Sequence, residues 1–112
     1  MDLYKTSSIP NKRIIFTSST SIYPKTNSTV TEKTPIIPSS NRQKVLYETE
    51  QYLLHDSSIK SSILRCAGLF GYTRRIGQFL SEKKVLDPDA PVNLIHRDDL
   101  IAIIQMMIDK HL

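Results

Sequence analysis

The sequence is poor in the residues that build several common kinds of site. Its single cysteine, Cys66, excludes an intramolecular disulfide and gives no zinc-binding spacing. Only three glycines and no tryptophan occur in 112 residues. No apolar run approaches the roughly 18 residues of a membrane helix, and residues 1–5 lack the apolar stretch of a signal peptide. These absences predict a cytoplasmic protein with no metal site and no membrane partner.

The charge is weakly positive and dispersed. Fifteen Lys and Arg against eleven Asp and Glu give a formal net charge of +4 and a pI of about 9.3. A nucleic-acid surface needs basic residues gathered on one face, whereas here the closest basic neighbours are Lys12–Arg13, Arg74–Arg75 and Lys83–Lys84. A small basic nucleic-acid binder is therefore the weakest functional alternative, and no nucleic-acid partner is predicted.

Local patterns predict strands that alternate with helices. Runs of β-branched and aromatic residues favour strands, and apolar residues at helical spacing favour helices. The predicted order, strand first, is 13–17, 41–55, 59–66, 76–84, 92–96 and a last helix from 98. Such alternation indicates an α/β fold: a partial Rossmann-like βαβαβα arrangement in three layers, with a short, mostly parallel sheet. Residues 1–112 are predicted to form a single domain, with residues 1–12 as a ragged lead-in.

Two of the helices have recognisable starts. Ser40 and Gln43 have the spacing of a capping box, which satisfies N–H groups at a helix start. Asp98 is the predicted cap of the last helix. The expected buried stripe of the first helix is Val45, Thr49 and Tyr52, flanked by Leu46 and Leu53.

Hydroxyl side chains follow the first predicted strand. Residues 17–21 read Thr-Ser-Ser-Thr-Ser, and they come where the strand ends. In open parallel sheets this carboxyl edge is where ligands bind. Gly68 and Gly71, after the second strand, would permit a tight turn and close approach by a ligand.

Four segments resemble a known family. Residues 14–23 (IIFTSSTSIY), 31–38 (TEKTPIIP), 63–71 (ILRCAGLFG) and 92–100 (VNLIHRDDL) are similar, in order and spacing, to motifs of the NAD-dependent epimerase/dehydratases, the extended and atypical short-chain dehydrogenases/reductases. Glu50 also stands where that family often has a glutamate. The resemblance covers residues 13–108 and implies the C-terminal half of an NAD(P)-binding Rossmann fold.

The resemblance implies site residues at the carboxyl edge of the sheet. Ser19 and Thr20 match catalytic positions, and the positions that border the nicotinamide of NAD or NADP are Thr17, Ser18, Arg65, Ala67, Gly68 and Leu69. The alternative for Ser19 is a hydroxyl that satisfies the local backbone. For residues 65–69 the alternative is a plain strand end and turn.

Two departures from the family pattern bear on activity. The glycine-rich strand–turn–helix that cradles the pyrophosphate has no counterpart in the sequence. The family's Tyr-x-x-x-Lys pair falls on Arg42 and Leu46, and a leucine cannot lower a tyrosine's pKa or hold a ribose. These departures argue against cofactor binding and catalysis by the chain alone.

The sequence thus favours a fragment related to NAD(P)-dependent epimerase/dehydratase oxidoreductases that is not catalytically competent by itself. The alternative is a non-catalytic binding or interaction module derived from that fold. In a complete fold the strand at residue 13 would have a neighbour on each side. Its exposed edge predicts a marginally stable chain that forms a homo-oligomer, associates with a complementing N-terminal fragment, or folds poorly.

Overall fold

A computed structural model describes residues 12–26, 28–77, 89 and 92–112. These residues form a mixed α/β structure in which two short parallel sheets and two helices are described. The elements are β1 (Arg13–Ser19), a 3₁₀ turn (Thr20–Ile22), α1 (Asn41–His55), β2 (Lys60–Cys66), β3 (Gly68–Phe70), β4 (Leu94–His96) and α2 (Arg97–Asp109). The predicted lead-in at 1–12, apart from Lys12, and most of the predicted helix over 76–84 lie outside the described residues.

The first sheet is a β–α–β unit. β1 and β2 pair in parallel over seven residues, from Arg13 opposite Lys60 to Ser19 opposite Cys66. α1 connects the two strands and packs on both. Because parallel strands need such a crossover, the alternation in the sequence was sufficient to predict this pairing, and the prediction is confirmed.

The second sheet continues from the first. After Ala67, the chain stays extended as β3, which pairs in parallel with β4. The expectation of a glycine turn at Gly68 is wrong, because Gly68 pairs with Leu94 inside this sheet. A Cβ at Gly68 would lie 2.9 Å from Leu94 Cδ2, so this glycine permits close approach of β4.

The apolar core is small. Among the described residues, the buried apolar side chains are Ile22, Leu53, Ile59 and Met107. The predicted stripe of α1 is wrong in part, since Val45 is 62% exposed and Tyr52 is 40% exposed. The buried face instead carries Gln43, Glu50 and Leu53. Two of those three side chains are polar, so α1 is held by directed polar contacts as well as by apolar burial.

The helix starts show one confirmed cap and one corrected cap. Ser40 is the cap of α1, and its hydroxyl accepts a hydrogen bond from Gln43 N. The cap of α2 is His96, not Asp98: His96 Nδ1 accepts from Asp98 N at 3.0 Å. Asp98 lies in the first turn, where its carboxylate interacts favourably with the positive end of the helix dipole. It also accepts a hydrogen bond from Tyr72.

A tight turn at Gly71 follows β3. Gly71 and Arg74 exchange backbone hydrogen bonds of 2.8 and 3.0 Å, and Gly71 has φ of 127°, a value that L side chains rarely adopt. A Cβ there would also lie 2.9 Å from His96 Nε2. Both the backbone and the neighbouring ring therefore require glycine.

We expect Gly71→Ala to lower the free energy of unfolding by about 1–3 kcal/mol, the cost typical of a strained backbone position. Urea denaturation followed by circular dichroism measures this. Gly77→Ala is the matched control, because a Cβ at Gly77 meets no atom of the described residues within 4 Å. Equal losses in the two variants would contradict this account of the turn.

Candidate functional site at the carboxyl edge of the sheet

A buried ion pair connects α1 with the carboxyl end of β2. Glu50 is fully buried, and its carboxylate accepts from Arg65 Nε at 3.1 and 3.3 Å and from Arg65 Nη2 at 2.7 Å. Charge-assisted, forked pairs of this kind are the stronger hydrogen bonds in proteins. The pair fixes the position of the helix over the end of the strand.

Tyr23 extends the ion pair to the turn that follows β1. Arg65 Nη1 donates to the Tyr23 hydroxyl at 3.1 Å, and the guanidinium carbon lies 5.0 Å from the centre of the Tyr23 ring. One arginine therefore joins three elements: β2, α1 and the segment after β1. A 420 Å³ cavity borders this group and is lined by Tyr23, Glu32, Glu50, Leu54, Ile63, Leu64 and Arg65.

The protonation states of the pair follow from this geometry. Burial by itself would raise the pKa of Glu50, but the hydrogen bonds and the charge of Arg65, together with the nearby hydroxyl of Ser18, outweigh it and lower that pKa below its ordinary value. The hydrogen bond to Glu50 raises the pKa of Arg65 despite its burial. Both groups are therefore charged at neutral pH.

Gln43 fixes the other end of α1. Its amide nitrogen donates to the carbonyl oxygens of Ser21 at 3.0 Å and Tyr23 at 3.3 Å. Its amide oxygen accepts from both the backbone N–H and the hydroxyl of Ser39. The capping-box glutamine thus ties the helix start to the 3₁₀ turn, rather than bonding back to Ser40.

The serines after β1 are engaged locally. Ser19 is the cap of the 3₁₀ turn: its hydroxyl accepts from Ser21 N at 3.1 Å and donates to Ser21 Oγ at 2.9 Å. Thr20 Oγ1 accepts from Asn93 Nδ2 at 3.3 Å, which links this turn to the chain just before β4. Ser18 Oγ is buried, and within the described part of the chain it makes no hydrogen bond of good geometry, although its proximity helps to lower the pKa of Glu50.

The structure places Thr17, Ser18, Ser19 and Arg65 near the carboxyl end of the first sheet, whereas Gly68 and Leu69 lie in β3 of the second sheet. Ser18 lies opposite Arg65 and Ser19 opposite Cys66 in the strand register, and Ala67 follows directly. Thr17 is exposed, and Leu69 is half-buried in β3 opposite Ile95. Arg65 is directed to Glu50 and Tyr23, and Gly68 packs against β4; both contacts supply a structural reason for the residue type.

Sequence reasoning missed Tyr23 and Gln43 as parts of this group. One signal in the sequence did indicate a buried ion pair: an arginine at the end of an apolar strand together with a glutamate within a helix. Buried charges need partners. The sequence does not say which charges meet, because Glu50 and Arg65 are 15 residues apart in the chain.

The described residues lack the groups of two common functional features, and their one cysteine is not activated. They contain no cluster of three His, Cys, Asp or Glu side chains able to hold a metal ion. Their helices include none with both the length and the apolar character needed to cross a membrane. Burial raises the pKa of the Cys66 thiol, which disfavours the reactive thiolate.

Comparison with known proteins gives a similarity over most of the chain. The sequence is 43% identical over 96 residues to Protein YeeZ of Escherichia coli strain K12, and equally to Protein YeeZ of E. coli O157:H7. The match includes 86% of this chain but only 35% of each YeeZ protein. The chain therefore spans about a third of the length of these relatives. No family model matches the chain, and no solved structure matches it.

Removal of one ion-pair partner should be strongly destabilising. We expect Arg65→Met to lower the free energy of unfolding by about 3–5 kcal/mol, because it leaves the Glu50 carboxylate buried without a partner. The double variant Arg65→Met, Glu50→Gln should recover part of that loss, because it removes the stranded charge. Urea denaturation measures both variants. Glu48→Gln, at an exposed position of the same helix, is the control and should change little; a loss of similar size there would contradict this assignment.

The ion pair also predicts a dependence of stability on acid. The folded-state pKa of Glu50 lies below the ordinary value of 4.5, so its stabilising contribution is complete above that pH and is lost as the pH falls through the folded-state pKa. The urea midpoint of the wild type should therefore decline in the range below about pH 4.5. Glu50→Gln should lack this part of the decline. Parallel pH profiles of the two proteins would contradict the prediction.

Proposed function

We propose that the chain supplies the nicotinamide- and substrate-facing edge of an NAD(P)-dependent epimerase/dehydratase-like oxidoreductase with a Rossmann-like fold. The supporting observation is the β1–α1–β2 unit, whose parallel strands end together at Ser19 and Cys66. That edge is where open α/β sheets bind ligands. The resemblance in residues 14–23 and 63–71 falls on the same edge.

The dinucleotide's phosphates do not fit the described residues. A pyrophosphate site needs exposed N–H groups at a helix start approached through glycine. α1 instead begins after Ser39 and Ser40, whose side chains are taken up by Gln43, and α2 begins at a histidine cap. We therefore assign the phosphate-binding part to residues other than those that the structure describes.

The proposed edge would offer a ligand a surface of suitable shape rather than side chains for acid–base chemistry. The hydroxyl of Ser19 and the guanidinium of Arg65 are bonded within the fold, and Arg42 stands where the resemblance would require a tyrosine. Thr17, Ala67 and Leu69 offer a small surface beside the strand ends. In this role the chain would position the nicotinamide ring of the cofactor against the sheet. We expect such a protein to be in the cytoplasm.

The non-catalytic alternative is favoured by one observation, the unpaired edge of β1. Among the described strands, β1 has a neighbour on one side only. A module that works by association would use that edge rather than the carboxyl ends of the strands.

Calorimetric titration of this chain with NADH and NADPH should show no saturable binding in the micromolar range. A chimera in which residues of this chain replace the matched 96 residues of E. coli YeeZ should bind one of the two cofactors. Within the chimera, Ala67→Phe should weaken cofactor binding by about tenfold or more, equivalent to about 1.4 kcal/mol. The reason is that the phenylalanine side chain would fill the space beside the strand ends that the nicotinamide ring needs. Gly77→Ala is the matched control.

Three outcomes contradict the proposal. Tight cofactor binding by the chain alone would show that the phosphate site is present. A folded chimera that binds neither cofactor, although YeeZ itself binds one, would show that this chain does not supply the edge. Unchanged cofactor affinity in Ala67→Phe would show that the nicotinamide ring does not lie beside Ala67.

A further inference from the structure

His96 and His55 use the same ring nitrogen in opposite roles. His96 Nδ1 lies 3.0 Å from the backbone nitrogen of Asp98, which can only donate, so His96 Nδ1 accepts this hydrogen bond. His55 Nδ1 lies 2.7 Å from the carbonyl oxygen of Gln51, which can only accept, so His55 Nδ1 carries a proton. The His96 contact therefore requires a neutral ring with its proton on Nε2, whereas the His55 contact is compatible with a neutral or a charged ring.

The hydrogen bond to His96 is the cap of α2. A helix start leaves its first N–H groups without partners inside the helix, and the His96 ring satisfies the N–H group of Asp98. An imidazole takes up a second proton in the range from about pH 8 down to about pH 5, and both of its nitrogens are then donors. Because the charged ring cannot accept a hydrogen bond, proton uptake by His96 breaks the cap.

The carboxylate of Asp98 offers the charged ring another partner. Its Oδ2 lies 3.9 Å from His96 Nδ1, and its Oδ1 accepts a hydrogen bond of 2.8 Å from the Tyr72 hydroxyl. A protonated Nδ1 can donate to Oδ2 only after the ring or the carboxylate moves closer, since 3.9 Å exceeds hydrogen-bond distance. The partner of Nδ1 then changes from the backbone N–H group of Asp98 to the side chain of the same residue.

Three elements surround the His96 ring. β3 contributes the uncharged Phe70, whose ring lies edge-to-face at 5.1 Å. The turn after β3 contributes Tyr72, whose ring centre is 6.2 Å away. α2 contributes Asp98, which attracts a charged His96, and Arg97, which repels it and lies 4.5 Å above the Tyr72 ring. The other charged residues in the turn at Gly71 and in the first turn of α2 are Arg74 and Asp99.

The same movement affects the strained turn after β3. Tyr72 has φ of 54°, which is uncommon for any residue other than glycine. Its side chain is 63% exposed, so burial does little to hold it there. The hydrogen bond to Asp98 and the contact with Arg97 hold the tyrosine instead. A shift of the Asp98 carboxylate towards His96 weakens the first of these two contacts.

We propose that His96 is a pH-sensitive cap, in which proton uptake by the ring replaces the cap of α2 with an ion pair to Asp98 and loosens the turn at Tyr72. His55 has no such response, because its hydrogen bond survives protonation. The proposal does not depend on the proposed function.

Nuclear magnetic resonance of the full chain between about pH 8 and about pH 5 tests the proposal, in a range where carboxylates ordinarily stay charged. At the upper end, the ring nitrogen shifts should show Nδ1 without a proton in His96 and with one in His55. As the pH falls, protection of the Asp98 amide from hydrogen exchange should drop by about tenfold, the size expected of one hydrogen bond. The reference is an unfolded chain at the same pH. The Tyr72 resonances should change together with those of the His96 ring.

Two histidine variants separate the cap from a general effect of pH. In His96→Asn the cap accepts through an oxygen that does not titrate, so the Asp98 amide should be equally protected at both ends of the pH range. His55→Asn is the matched control, because it removes the other hydrogen-bonded ring, and it should keep the response of the wild type.

Four outcomes overturn the proposal. They are a His96 ring with its proton on Nδ1 at the upper end, constant protection of the Asp98 amide in the wild type, a response retained in His96→Asn, and a response lost in His55→Asn. If His96→Asn does not fold, the scalar coupling across the hydrogen bond from Asp98 N to His96 Nδ1 in the wild type takes its place. Its loss as the ring gains a proton supports the proposal, and its absence at the upper end or its persistence at the lower end overturns it.

Discussion

The buried pair of Glu50 and Arg65 is the interaction on which the rest of this structure depends. It holds the middle of α1 to the end of β2, and through Tyr23 it also holds the segment that follows β1. A fully buried carboxylate is tolerated only where a cation and further hydrogen bonds compensate its desolvation. The crossover helix is thereby confined to one position over the sheet, and the carboxyl ends of β1 and β2 are brought together.

This constraint shapes the candidate site. The polar groups nearest the strand ends are already hydrogen-bonded within the fold. Arg65 is bonded to Glu50, Gln43 to the turn after β1, and Ser19 to Ser21. What faces outward at the edge is therefore small and mostly uncharged, as at Thr17 and Ala67. Under the proposed function this edge would position a flat ring, and it contributes little acid–base chemistry of its own.

The sequence predicted the elements better than it predicted their contacts. β1, α1 and β2 follow from local patterns: an apolar β-branched run, a serine cap and a second apolar run. The buried face of α1 was predicted wrongly because periodicity scores apolar residues, whereas Gln43 and Glu50 are buried by partners 15–22 residues away in sequence. At Gly68 the error was of another kind. The missing side chain suggested a turn, whereas in the structure it allows Leu94 to approach closely.

A fold held in this way has a specified geometry and a modest reserve of stability. Replacement of a buried ion pair by apolar residues is often neutral or stabilising, so the pair adds little net free energy even though its loss is costly. Apolar burial, the main source of stability, is nearly complete for only four side chains among the described residues, and other apolar side chains there are half-buried or exposed. Each directed polar contact of α1 is then a larger share of the total stability than it would be in a protein with a deep core.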